Sequence, residues 1–334
     1  TDRRSARTLV INLGIRRFYL LAFALGGLMM LTWGAIGLLQ TLMQAVSLVS
    51  WQTPVANYSA QLLIGTLVWT AHWFILQRDF ATGHPVEERS ALRKVYLYLI
   101  VFVYSVMALS SGALLLKRLI ELGLGAPPSA EPLLTQLSLV VPMLASGGLF
   151  WAYHWQVLRQ DAGRAPEAPR QAAVRRIYAY LVAAVGLVTL LTGVVGLLIQ
   201  LIDLLTSPAA IGLNFYREQV ALSTAMTVVG APVWLLPWRA VQRRAATDQE
   251  APGIDERRST VRKIFLYFFV FIASLAIFSS VGWFVFHILT ALLGADLPSD
   301  FLTLVLNALV IALLAGGVWL YHWLAIRQDG RHEQ

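Results

Sequence analysis

A pair of hydrophobic segments ending in two tryptophans one helical turn apart is written four times along this chain. The four endings read Trp69-Thr70-Ala71-His72-Trp73, Trp151-Ala152-Tyr153-His154-Trp155, Trp234-Leu235-Leu236-Pro237-Trp238 and Trp319-Leu320-Tyr321-His322-Trp323. Each clamp has Trp at i and i+4, and three of the four carry His at i+3. A basic-aromatic start precedes each at a similar distance: Arg16-Arg17-Phe18-Tyr19, Arg93-Lys94-Val95-Tyr96, Arg175-Arg176-Ile177-Tyr178 and Arg262-Lys263-Ile264-Phe265. A repeated supersecondary unit restricts the chain to architectures in which copies stack on one another, so it fixes the fold class before any single residue is interpreted.

The repeated segments are far more apolar than a soluble core requires. Of the 334 residues 57% are hydrophobic and 13% charged, where soluble domains carry about 25% charged residues. The apolar runs meet or exceed the ~20 residues that cross a bilayer. They predict eight transmembrane helices near 18–46, 59–77, 95–122, 134–158, 177–205, 217–241, 264–293 and 301–326. The first run is too long for a signal-peptide core and no small-residue cleavage site follows it, so it is expected to stay as a helix. The chain has no Cys, which excludes disulfides, thiolate metal sites and thiol redox motifs.

Charge placement orients the bundle. Of the 26 Lys and Arg, all except Lys117, Arg118 and Arg217 fall on one side of the predicted spans. Positive charge in short loops is retained in the cytoplasm. Both termini are therefore expected to be cytoplasmic, in a bacterial inner membrane. The net charge of +8 reflects this topology. The basic residues flank helix ends instead of forming one patch, which argues against nucleic acid as a partner.

Each repeat thus runs outward on a longer helix and returns on a second one. Links at 79–92, 161–174 and 245–261 join the repeats; they hold Pro85 with Glu87 and Glu88, Pro166 and Pro169 with Glu167, and Pro252 with Asp255 and Glu256. Such mixtures are loop signals, and none is long enough for a soluble domain. Repeats 2 and 4 are most alike: Arg93-Lys94-Val95-Tyr96-Leu97-Tyr98 matches Arg262-Lys263-Ile264-Phe265-Leu266-Tyr267, and Arg159-Gln160-Asp161 matches Arg327-Gln328-Asp329. A duplicated four-helix unit explains this, giving domains 1–165 and 166–334. An even helix number per copy relates them by an axis along the membrane normal.

Small residues recur at equal depth. Thr32 and Gly34, Ser110 to Gly112, Thr192 and Gly193, and Ser279, Ser280 and Gly282 mark the outward helices; Gly65, Gly147 and Gly230 lie seven residues before the His or Pro of their clamps, with Ala315 and Gly316 in the last copy. Lipid gives no hydrophobic drive for helix association, so close approach through small residues is the first reading. A substrate path lined by the hydroxyls is the alternative.

The clamp histidines His72, His154 and His322 are the sharpest candidates for chemistry. His ligates haem and chlorin metals and relays protons. The competing reading is structural, because Trp and Tyr collect at membrane interfaces with an apolar body and a polar tip. Pro237 interrupts the series and is expected to kink its helix. Asp79, Asp161 and Asp329 follow three clamps and are placed to pair with the basic starts, which makes a rim lock of Arg16, Arg17, Arg93, Lys94, Arg175, Arg176, Arg262 and Lys263 with the three carboxylates. An anionic-lipid site on the same rim is the second reading. At the other end Glu121 lies within reach of Lys117 and Arg118; Asp203, Gln40, Gln200 and His287 sit at comparable depth.

No acidic or basic residue falls near the middle of a predicted span, where ion-coupled transporters usually carry one. Metal-protease, phosphate-loop and nucleophile-elbow motifs are also missing. An enzyme is not expected, nor a metal site. The basic-aromatic start with a Tyr-His-Trp return ending in Arg-Gln-Asp, best seen in Arg93 to Tyr98 and Tyr153 to Asp161, resembles a bacterial membrane family classed as a domain of unknown function, DUF5671. That family carries roughly four helices per copy, so the resemblance implies two tandem copies. Repeat 1 departs from it in lacking Tyr before His72, and repeat 3 in lacking both His and Asp. The family supplies no activity and no site residues. The expectation is therefore an all-α integral membrane bundle of eight helices in four two-helix pseudo-repeats. It acts as a non-catalytic scaffold or accessory subunit that binds lipid, other membrane proteins or itself. The alternatives are a passive channel or carrier for a neutral or amphipathic solute, and a haem- or chlorin-binding subunit using the clamp histidines.

Overall fold

A computed structural model describes residues 2–44, 50–81, 91–125, 132–162, 169–206, 212–247 and 251–331. Pro85, Glu87, Glu88, Arg89, Arg164, Pro166 and Glu167 of the links lie outside the described residues. Those described form ten α-helices and no strand: α1 (Asp2–Gln44), α2 (Gln52–Ala81), α3 (Ala91–Gly123), α4 (Leu133–Leu137), α5 (Val140–Ala162), α6 (Pro169–Thr206), α7 (Leu213–Ala245), α8 (Ala251–Arg257), α9 (Thr260–Leu292) and α10 (Phe301–Arg331). Counting α4 and α5 as one span, eight helical segments are long and apolar enough to cross a membrane.

The helices run past the apolar segments that announce them. The return helices are not short: α2 has 30 residues and α7 has 33, as many as α3 and α9. Their added turns carry Gln, Arg and Ala, which favour helix but are not apolar. At 1.5 Å per residue a 33-residue helix is about 50 Å long, against a hydrocarbon core of about 30 Å. The fourth span is interrupted at Ser138 and Leu139, just before Pro142; proline lacks the N–H that would continue the helix ladder and disfavours helix in the residue before it. The Ser138 hydroxyl donates to the Thr135 carbonyl and accepts from Gln44 Nε2, both at 2.7 Å, which satisfies polar groups at the break. α3 and α9 end alike, with Gly125 at φ 71° and Gly294 at φ 77°, a left-handed conformation that glycine adopts without a Cβ clash.

The chain separates into two compact units, Thr1–Leu115 with Pro128–Tyr178, and Leu116–Pro127 with Ala179–Gln334. In the first, Leu20, Ala24 and Leu28 of α1 meet Trp73 and Leu76 of α2, Tyr96, Leu97, Ile100 and Tyr104 of α3, and Val157 and Leu158 of α5. In the second, Tyr180, Ala183 and Leu187 of α6 meet Trp238 and Val241 of α7, Phe265, Leu266 and Phe269 of α9, and Ala325 of α10. Each core lies towards the basic end of its helices.

Glycine sets how closely the helices of the odd repeats approach. A Cβ on Gly27 or Gly34 of α1 would overlap the backbone of Trp69 or Leu62, and one on Gly65 of α2 would overlap Leu31. Gly186 and Gly230 stand in the same relation to Trp234 and Leu190 in the α6–α7 pair. The even repeats are looser: Gly147 faces Ala108, while Gly282 and Gly316 have nothing within 4 Å of a built Cβ.

Candidate functional site

At the basic end of the first unit, the first turn of α3 places Arg93 against the last turn of α5. Its Nε donates to Asp161 Oδ2 at 2.8 Å and its Nη2 to Asp161 Oδ1 at 3.2 Å. Nη2 also donates to Gln77 Oε1 of α2 at 2.6 Å. The guanidinium carbon lies 4.1 Å from the Phe80 ring centroid and 5.5 Å from that of Trp73. Arg93 and Asp161 are both buried, and such a bidentate pair is strong because fork and carboxylate match in geometry.

The second unit repeats this node. Arg262 of α9 donates from Nε to Asp329 Oδ2 at 2.6 Å and from Nη2 to Oδ1 at 3.0 Å. Nη2 reaches Gln242 Oε1 of α7 at 2.8 Å. Here the network extends further. Arg262 Nη1 donates to the Tyr180 hydroxyl at 3.4 Å, and that hydroxyl donates to Glu256 Oε1 of α8 at 3.0 Å. α8 is held in turn by Arg257, whose Nη1 donates to the carbonyl of Ala245. Repeat 1 has a lesser version of the pair: Arg16 Nη1 meets Asp79 Oδ2 at 2.8 Å, with the arginine half exposed. In repeat 3 Arg244 takes the place of Asp79. Of the other rim residues, Lys94 is buried and Lys263 is exposed.

One to two turns deeper, each unit encloses a histidine in aromatic rings. His154 is fully buried. Its Nδ1 bonds the Phe150 carbonyl at 2.8 Å, and the rings of Trp69, Trp73, Tyr96, Tyr104 and Tyr153 have centroids within 6.4 Å of its own. Trp73 Nε1 donates to the Tyr153 hydroxyl at 2.6 Å. The Thr32 hydroxyl donates to the Leu28 carbonyl, so the short contact between Thr32 and Tyr104 has the phenol as donor. His322 is held the same way: Nδ1 bonds the Val318 carbonyl at 2.8 Å, Trp238, Phe265, Phe269 and Tyr321 surround the ring, and Trp238 Nε1 donates to the Tyr321 hydroxyl. In both cages His Nε2 and the indole N–H of the other tryptophan, Trp69 or Trp234, are buried without a hydrogen-bond partner.

The cages show that the four clamps have two roles. The odd clamps send Trp69 with Trp73, and Trp234 with Trp238, inward. In the even clamps the Tyr-His pair reaches the cage, while Trp151 stacks on Trp155 and Trp319 on Trp323, with centroids 5.9 and 5.6 Å apart. His72 belongs to an odd clamp. It lies outside the cage of its unit, half-buried against Tyr19 and Phe23 at 6.1 and 5.2 Å. Pro237 holds the matching position, so its presence in place of His leaves the second cage intact. Gln77, Gln242, Tyr104 and Glu256 were missed at the sequence level. Gln four residues after the second Trp in the odd repeats, where the even repeats have Arg159 and Arg327, is the signal that separates the two roles.

The opposite end carries a second charged cluster. Lys117 Nζ lies 2.8 Å from Glu121 and 2.9 Å from Glu218 of α7, and Arg118 Nη1 lies 3.1 Å from Glu121. Glu218, and not Asp203, completes it. Gln200 donates to the Ser223 hydroxyl at 3.0 Å, and His287 packs on Trp283 and Phe301, while Gln40 is half-buried on α1. The mid-helix hydroxyls turn back on their own helices: Ser111, Ser280 and Thr192 donate to the carbonyls of Met107, Ala276 and Val188. Ser110 and Ser279 are exposed on the helix exterior.

These facts bear on cofactors. A haem or chlorin needs an open face at His Nε2. The rings around His154 and His322 fill that face, so these two residues do not fit a macrocycle. His72 lies outside the cage that holds His154. Among the described residues no group of three metal-capable side chains comes together.

A family model described as a domain of unknown function, DUF5671, matches residues 17–145 and again 176–317. No curated protein and no solved structure matches the chain.

Proposed function

The chain belongs to the DUF5671 family with its domain present twice, and from that premise we propose a non-catalytic membrane scaffold or accessory subunit, seated in the bacterial cytoplasmic membrane with its basic ends on the cytoplasmic side. The reading rests on how polar chemistry is distributed. Buried Arg–Asp charges pair within their own unit, the cage histidines are enclosed by aromatic rings, and Ser111, Ser280 and Thr192 bond their own backbones. Many of the side chains that face outward are large and apolar. An apolar 18-residue stretch of α10 is 6% buried, against 50% for one of α1, and α9 exposes Phe268, Phe271, Phe278 and Phe286. A face of this kind contacts lipid tails or the helices of another membrane protein.

The test is the composition of the particle released from its native membrane by mild detergent, read by native mass spectrometry. A stoichiometric second subunit supports the scaffold. A bare chain that, reconstituted in vesicles, moves a solute at catalytic turnover overturns it.

A further inference from the structure

The two basic-end nodes differ at one position. In the first unit Phe80 lies over the Arg93 guanidinium at 4.1 Å and is itself buried. Seven residues after the second clamp Trp, as Phe80 is after Trp73, the second unit has Ala245. A cleft of about 320 Å³ opens there, lined by Gln242, Arg243, Ala245, Arg262, Gln328 and Asp329. Sites that take small molecules begin near ~300 Å³. The loss of the ring is also felt at the carboxylate: the Asp329 side chain is 13% exposed and that of Asp161 4%. A second cleft of about 170 Å³ shares Asp329 and sets Lys263 beside Leu266, Tyr267 and Ile326.

We propose that this pair of clefts binds the headgroup of an amine-bearing phospholipid, phosphatidylethanolamine in chemical type. The inference rests on the membrane seating given under the proposed function and adds a headgroup site to it. Three features select the class. The lining carries both signs, with the exposed Arg243 near Asp329, so a purely anionic headgroup would meet a carboxylate and a purely cationic one a guanidinium. A headgroup with phosphate and ammonium pairs each with its opposite. The amide oxygen of Gln328 offers the ammonium a further acceptor, and the Gln242 and Asp329 oxygens, each already accepting from Arg262, keep a second lone pair for an ammonium with three donors to satisfy. Finally, the smaller cleft places a lysine beside apolar side chains at a helix end, which is the order of headgroup and acyl chain at a membrane surface.

The experiment is lipid counting by native mass spectrometry on the full chain in mild detergent, titrated with phosphatidylethanolamine or with phosphatidylglycerol of the same acyl chains. The wild type is expected to retain one phosphatidylethanolamine at about tenfold lower lipid concentration than phosphatidylglycerol. Ala245→Phe restores the ring that fills the first unit and should abolish that preference. Phe80→Ala should create a second preferring site. Retention unchanged by Ala245→Phe, equal or stronger retention of phosphatidylglycerol, or no retained lipid would each overturn the proposal. Arg243→Ala gives an independent reading, because its side chain is exposed and its loss should weaken retention without unfolding the bundle. A bare chain that retains phosphatidylethanolamine and also moves a solute at catalytic turnover in vesicles would leave this inference standing while removing the scaffold reading.

Discussion

At the scale of the residue, the same ion pair has two values in this chain. Arg16 with Asp79 is solvated, and such pairs contribute ~0–1 kcal/mol. Arg93 with Asp161 is buried beneath Phe80 and Trp73. Truncating one member there leaves a charge without compensation, at a cost of about 3–5 kcal/mol. Asp161→Ala and Asp329→Ala are therefore expected to lower unfolding midpoints in detergent sharply, and Asp79→Ala to leave them nearly unchanged. Equal effects from all three would show that the nodes are not closed as described. The spacing of Arg and Asp along the sequence was enough to pair them. It was not enough to rank them, because burial comes from Phe80, Trp73 and Gln77, which belong to a different repeat. The same holds for the histidines. His72, His154 and His322 occupy one position of one motif, yet packing puts two inside cages and one outside.

At the scale of the element, helix pairing follows backbone approach. Gly65 and Gly230 lie where a Cβ would strike the backbone of Leu31 and Leu190, the latter at 2.5 Å from the amide nitrogen. Backbone cannot rotate away as a side chain can, so Gly65→Ala and Gly230→Ala should force the helices apart. Overpacking of this kind costs about 1–3 kcal/mol. Gly316→Ala, with open space around it, should be neutral or slightly stabilising through helix propensity. Thermal unfolding of the three variants in one detergent compares them, and a destabilised Gly316→Ala alone would contradict the assignment of close approach to the odd repeats. The glycine register was visible in the sequence. That it tightens only one kind of repeat was not, since Gly147 recurs at the same offset and Gly316 one residue from it. The eight long helices were legible because hydropathy sets them; the short α8 lies in the 245–261 link that the sequence reads as loop. Helix ends were less so, because the terminal turns carry polar helix formers, and α8 has only 7 residues, with Pro252 and Gly253 masking its pattern.

At the scale of the whole molecule, charge asymmetry is the feature from which an orientation is predicted. Upright helices of this length exceed the ~30 Å hydrocarbon core, which would carry their charged ends, and the Arg–Asp nodes near those ends, to the membrane boundary. The ion pairs are enclosed by Trp73, Phe80 and Trp238, aromatic side chains of the kind that collect at membrane interfaces. Retention of basic ends in the cytoplasm then predicts which loops face out. The natural absence of Cys allows a direct test with single cysteines. Asp255→Cys lies in α8, at the basic end, and Ser299→Cys lies in the turn between α9 and α10; both positions are exposed. A membrane-impermeant maleimide applied to intact spheroplasts should label Ser299→Cys and reach Asp255→Cys only after permeabilisation. The reverse pattern would place the basic ends outside, move the lipid cleft to the other leaflet, and require the positive charge of this chain to be held by something other than the rule that orients most polytopic proteins.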